Sequence, residues 1–268
     1  MLPDPIDATP DPVADAPLAP LDPPLPPVPP LVPARSARNP FWSYWDLLLL
    51  LGFVCAGILS ILIVAVVIEA LSPALRKDPT RLALPLQFLF YAAVYAGFVA
   101  VFKLRYNRRA LPSLGWVPSG INPLLAGLGG IVLAIVLSLL GQFLHTPETN
   151  FIDRLVNSWF SFALLAATAV IVAPFFEELL FRGFLQPLLS RTFGVAAGVL
   201  LTAALFGSLH LFQYSLAWQY ALIIFLAGVV FGWVRARTGS VIPGTLMHCC
   251  FNSVSVVAYY ISARPNFR

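Results

Sequence analysis

The sequence predicts an all-α fold, a polytopic bundle of membrane-crossing helices, and three observations carry that prediction. Of 268 residues, 59% are hydrophobic and only 10% charged, with a mean hydropathy of +0.84. Soluble domains carry about 25% charged residues. From Phe41 onward the apolar residues fall into seven segments, each about the length that crosses ~30 Å of hydrocarbon as a helix. Inside those segments a few polar residues, Glu177, Glu178 and Arg182 first among them, stand in strongly apolar surroundings.

Residues 1–40 form a separate region, a tail of Pro, Ala, Asp and Leu. Proline at that density blocks backbone pairing, so the expectation is a disordered, partly polyproline-II segment. It lacks the basic and apolar regions of a signal peptide. The membrane region is residues 41–268. Its spans are predicted at about Asp46–Leu71, after an aromatic Phe41-Trp42-x-Tyr44-Trp45 cluster, then Leu84–Lys103, Ile121–Leu144, Phe160–Leu189, Val195–Phe212, Leu216–Val234 and Val241–Ile261. A broken helix changes the count to six or eight. The fourth span is unusually long and is interrupted by charge. Gly194-x-x-x-Gly198 and Gly228-x-x-x-Gly232 suit close helix contact.

The net charge of +4 is scattered over short loops, which excludes a nucleic-acid face. With the N-terminus inside, Arg35, Arg38, Lys103, Arg105, Arg108, Arg109, Arg191, Arg235 and Arg237 are cytoplasmic; Arg76, Lys77, Arg81, Arg154, Arg264 and Arg268 are outside. Nine against six favours that orientation. Cys55, Cys249 and Cys250 lie in apolar runs and read as small buried hydrophobes.

The costly residues sit in the second half. Glu177 and Glu178 follow an apolar run, and Arg182 is four residues beyond Glu178, the spacing of a same-face ion pair. Each such charge at a helix centre costs about 2.5–3.5 kcal/mol on insertion scales, which marks a functional group. Glu178 is then held by Arg182, while Glu177 points about 100° away and stays available as a general base. His210 lies 16 residues after Gly194 and Glu177 lies 17 before it. A turn at Gly194 therefore brings the two to the same depth. His248 and Asn252 are i and i+4, two donors on one face suited to an oxyanion. His145 lies in a polar loop and reads as solvated. Alone, each group has a plainer explanation as packing or helix–helix hydrogen bonding. Together they read as a hydrolytic site that uses water.

Glu177-Glu178-Leu179-Leu180-Phe181-Arg182, Phe206 to His210, and His248 to Asn252 resemble the motifs of the CPBP family of intramembrane proteases. That family includes the type II CAAX prenyl proteases and Abi-type bacteriocin-processing or immunity proteins. Leu111 to Trp116 is similar to a short segment of the same family, and the resemblance is best over about residues 160–262. It implies an endopeptidase with its cavity within the bilayer, acting on a membrane-associated peptide or protein, prenylated in some members. It also implies that Glu177 and His210 activate water, that His248 and Asn252 stabilise the tetrahedral intermediate, and that Glu178 and Arg182 support the first carboxylate. No cofactor is expected on this reading; its alternative is zinc held by Glu177, His210 and His248 with a water in the open position. Two other classes compete, an idle binding or immunity-type membrane protein and a proton-coupled carrier. A carrier would show inverted repeats, and none is visible. A bacterial inner membrane is the expected setting.

Overall fold

The computed structural model describes residues 40–72, 80–147, 155–156 and 158–263. Most of the Pro-rich tail, the loop residues Arg76, Lys77 and Arg154, and the last five residues lie outside that set. Among the described residues are seven long helices, all close to their predicted places: α1 (Tyr44–Leu71), α2 (Thr80–Tyr106), α3 (Pro123–Phe143), α4 (Trp159–Phe193), α5 (Val195–Leu209), α6 (Trp218–Thr238) and α7 (Ile242–Ala263). In α1, α3, α4, α6 and Pro85–Tyr106 of α2 the helix is long and apolar enough to cross a membrane. The protein is an integral membrane helix bundle.

The local chemistry explains the boundaries. Asp46 Oδ2 accepts from the Ser43 backbone N–H at 2.8 Å, closing a capping box that starts α1. The Asn122 side chain accepts from Leu124 N–H, and Pro123 supplies a first residue with no donor to satisfy, so α3 begins there. Gly194 joins α4 to α5 at φ 86°, ψ 161°, a conformation that a side chain would strain.

Helices α1, α2 and α4 meet in an aromatic core. Trp42, Phe98, Phe102 and Phe184 are buried there, and Trp42 Nε1 donates to the Phe184 carbonyl at 3.1 Å. A second core joins α3, α6 and α7 through Leu137, Phe231 and Met247. At one end of the bundle residues 40–46 are pinned by cations. Arg191 donates to the carbonyls of Pro40 and Trp42, Arg108 lies 4.5 Å from the Phe41 ring, and Arg105 pairs with buried Asp46 at 3.2 Å.

Two expectations need correction. Cys55 is exposed, and Cys249 and Cys250 are only half-buried. Helix α1 is apolar on every side, so a cysteine there has no preference for the inner face. Helix α5 ends at Leu209, three residues before the predicted limit. The His210 backbone N–H bonds Gly207 O, while the Phe206 carbonyl that would have extended the helix takes the His210 ring instead.

Candidate active site

Helix α4 is not a uniform α-helix. Two stretches of π-helix, Thr168–Val172 and Leu179–Leu185, bracket one short α segment, Ala173–Glu178, that ends on the two glutamates. Each wide stretch runs into a proline. Ala173 N–H reaches back five residues to Thr168 O just before Pro174, and Gln186 N–H reaches Phe181 O just before Pro187. A proline ring clashes with the carbonyl four residues back and offers no N–H, and widening the turn relieves both problems.

Below the glutamates lies a fully buried ion pair. Arg182 Nη1 is 2.9 Å from Glu178 Oε1, and neither side chain is exposed. Arg182 Nη2 donates to Gly228 O at 3.0 Å, and one helical turn on, Gln186 Nε2 donates to Gly232 O at 2.8 Å. The guanidinium also lies 4.5 Å from the Phe206 ring. A Cβ at Gly228 would stand 3.0 Å from Arg182 Nη2, and one at Gly244 would stand 3.1 Å from Glu178 Oε2. Those glycines let α6 and α7 close over the pair. Glu178 Oε2 and Arg182 Nε keep no hydrogen-bond partner among the described residues, so the burial of this pair is only partly compensated.

Glu178 has a second partner. His248 Nδ1 is 3.2 Å from its Oε1. A carboxylate only accepts, so Nδ1 carries the hydrogen and the ring is held by its back edge. Its other nitrogen, Nε2, then faces Glu177 Oε2 at 3.8 Å. Glu177 is 20% exposed where Glu178 is sealed. Its other oxygen accepts from the Tyr91 hydroxyl at 3.4 Å, and Tyr91 in turn accepts from Gln87 at 3.2 Å.

Glu177, His210, His248 and Asn252 all line one cavity of about 240 Å³ within the bundle, walled by apolar residues such as Leu165, Phe206 and Phe231. His210 makes no direct contact with Glu177. Its Nδ1 is 2.8 Å from the Phe206 carbonyl, an acceptor, so Nδ1 is again the protonated nitrogen and Nε2 of the neutral ring keeps a lone pair. The Asn252 amide donates to Ala169 O at 2.8 Å. With Ala173 bonded to Thr168, the next donor in the π register would be residue 174, and proline has none. Asn252 fills the gap that Pro174 leaves, and keeps one further N–H. Tyr214, in the turn after α5, also lines the cavity. Burial, followed by Tyr220 and Glu177, pushes its hydroxyl up to about 12, so it stays a proton donor at neutral pH. His145 is exposed and is not among the residues lining the cavity.

Residues 158–254 match the model of a protein family described as type II CAAX prenyl endopeptidase Rce1-like. That segment is Rce1-like. No curated protein and no solved structure matches the chain. The Rce1-like segment runs from the start of α4 into α7 and contains all six motif residues, so the chain is, in broad terms, a membrane protease. Gln87 and Tyr91 come from α2, outside it. Sequence reasoning passed over them, although a Gln and a Tyr at i, i+4 in an apolar helix were a signal of the same kind as His248 and Asn252.

The zinc alternative can be tested on the donors themselves. Among the described residues no three His, Cys, Asp or Glu side chains come together in a way that could hold a metal ion. Yet His248 Nδ1 is turned to Glu178, as the second nitrogen of a metal-bound histidine commonly is to a carboxylate, and its Nε2 lies on the cavity with Glu177 and His210. Zinc is therefore kept as the alternative to the metal-free route.

Proposed function

We propose that the chain is an intramembrane endopeptidase that hydrolyses a peptide bond of a membrane-associated protein with water as the nucleophile. One observation carries this reading. Among the described residues that line the cavity Glu177 is the one acid, and its Oε2 lies opposite a histidine whose back edge is held by the buried Glu178–Arg182 pair. Glu177 Oε2 takes a proton from water, and the hydroxide attacks the scissile carbonyl. Charge then develops on the carbonyl oxygen. His248 in its imidazolium form, Nδ1–H on Glu178, would give Nε2–H to that oxygen, and Asn252 gives the N–H that Ala169 does not use. The C–N bond breaks as Glu177 passes the proton it took from water to the departing amine nitrogen. His210 Nε2, whose lone pair is on the cavity, accepts from the attacking water and orients it. No step runs through a metal.

The walls support a membrane substrate, since apolar side chains keep bulk water out and strengthen each electrostatic contact inside. The basic residues that pin residues 40–46, together with Arg235, which donates to the Arg182 carbonyl at 3.2 Å, favour a cytoplasmic N-terminus, and a bacterial inner membrane remains the proposed setting. The test uses the purified full chain in detergent with a membrane-tethered reporter peptide, prenylated and unprenylated. Wild type cleaves at least one of them and Glu177→Ala cleaves neither. Equal cleavage by the two proteins sinks the proposal. A zinc chelator such as 1,10-phenanthroline leaves the rate unchanged; stoichiometric bound zinc lost in both His210→Ala and His248→Ala would overturn the metal-free route.

A further inference from the structure

We infer that Tyr91 is a positioning residue for the proteolytic carboxylate, acting from α2. The inference rests on the proposed role of Glu177. A carboxylate used as a base has two equivalent oxygens and can rotate about its last bond, so the lone pair facing water is fixed only if the other oxygen is held. Here the two oxygens are divided. Oε2 faces His248 Nε2 at 3.8 Å, and Oε1 accepts the Tyr91 hydroxyl at 3.4 Å.

Tyr91 is built to hold that place. It is buried, with 7% of its surface exposed, and its ring stacks on Phe176 at 5.1 Å with the planes 5° apart. Phe176 adjoins Glu177 in the short α segment, so the stack ties α2 to the very turn that carries the base. Gln87 Nε2 donates to the Tyr91 oxygen at 3.2 Å. With its lone pair so engaged, the hydroxyl hydrogen is left to point at Glu177. Gln87 lines the cavity, whereas Tyr91 does not. Tyr91 therefore acts through Glu177 and not on the substrate. The family match begins at residue 158, so nothing in it assigns this role.

The test is Tyr91→Phe in the full-length protein, which keeps the ring and its stack and removes only the hydroxyl. With the reporter peptide that wild type cleaves, kcat falls about 10-fold, the loss of one hydrogen bond to a charged group, while KM stays within about twofold because substrate is not touched. The melting midpoint in detergent stays at the wild-type value. Tyr91→Leu, which loses the stack as well, lowers both kcat and the midpoint. A wild-type kcat in Tyr91→Phe, or a changed KM with kcat preserved, overturns the inference while leaving the protease reading intact. Cleavage that survives in Glu177→Ala fails the protease reading and removes the basis of the inference with it.

Discussion

Adjacent on one helix, Glu177 and Glu178 occupy opposite environments. Glu178 is sealed against Arg182 and His248, with no exposed surface; Glu177 reaches a cavity and shares its oxygens between Tyr91 and His248. The difference should show in what each variant loses. Arg182→Met leaves the Glu178 carboxylate buried without its cation, and breaking a buried pair from one side costs about 3–5 kcal/mol. The expected outcome is a large drop in the melting midpoint in detergent; an unchanged midpoint would mean the pair contributes little. Around His210 the accounting of hydrogen bonds is equally local. Its ring closes the end of α5 on the Phe206 carbonyl, so His210→Ala should loosen that end and slow cleavage, whereas His210→Asn, which retains a donor at similar reach, should restore the helix end without the rate.

At the scale of the element, α4 is governed by its prolines. Pro174 leaves the Ala169 carbonyl without a backbone donor, and Asn252 of α7 supplies one. Pro174→Ala returns an N–H to the helix. A proline inside a helix costs about 3 kcal/mol, so the variant should melt at or above the wild-type temperature while its kcat falls about tenfold as Asn252 loses its anchor. Wild-type rate in a stabilised Pro174→Ala would contradict this role for the wide turn. Much of the element structure was legible in the sequence. Span positions followed from apolar length, the Glu178–Arg182 pair from i, i+4 spacing, and the common reach of Glu177 and His210 from counting outward from Gly194. What escaped reading had other causes. The π turns need the competition between a proline and its fourth preceding carbonyl, which no apolar period reports. Tyr91 depends on how α2 docks against α4, a contact between distant parts of the chain. The contact of His248 with Glu178 was not read, because it appears only once α7 packs on α4.

Taken as a whole molecule, the bundle places its charge at two levels. Arg105, Arg108 and Arg191 gather at one end of the bundle through contacts with residues 40–46. The Gly115 carbonyl accepts from Val241 N–H at 2.9 Å, and Ser240 Oγ donates to Val117 O at 2.5 Å, which ties the loop before α3 to the turn between α6 and α7. Single cysteines placed at Asn107 and at Gly120, in a background with the native cysteines replaced, should therefore label from the cytoplasmic side of sealed vesicles. Labelling from outside would reverse the orientation and the side from which substrate arrives. The second level is mid-bundle, where Glu177 is some 18 residues from the start of α4 and 16 from its end. Chemistry there requires that one carboxylate stay free while its neighbour is locked. The measurement that tests this most directly sets Glu177→Gln beside Glu178→Gln in the full chain, reading cleavage of the tethered reporter and the melting midpoint together. The expected result is a wild-type midpoint with a loss of about 10²–10⁴ in rate for Glu177→Gln, and a clearly lowered midpoint for Glu178→Gln. Cleavage at the wild-type rate by folded Glu177→Gln would contradict the account.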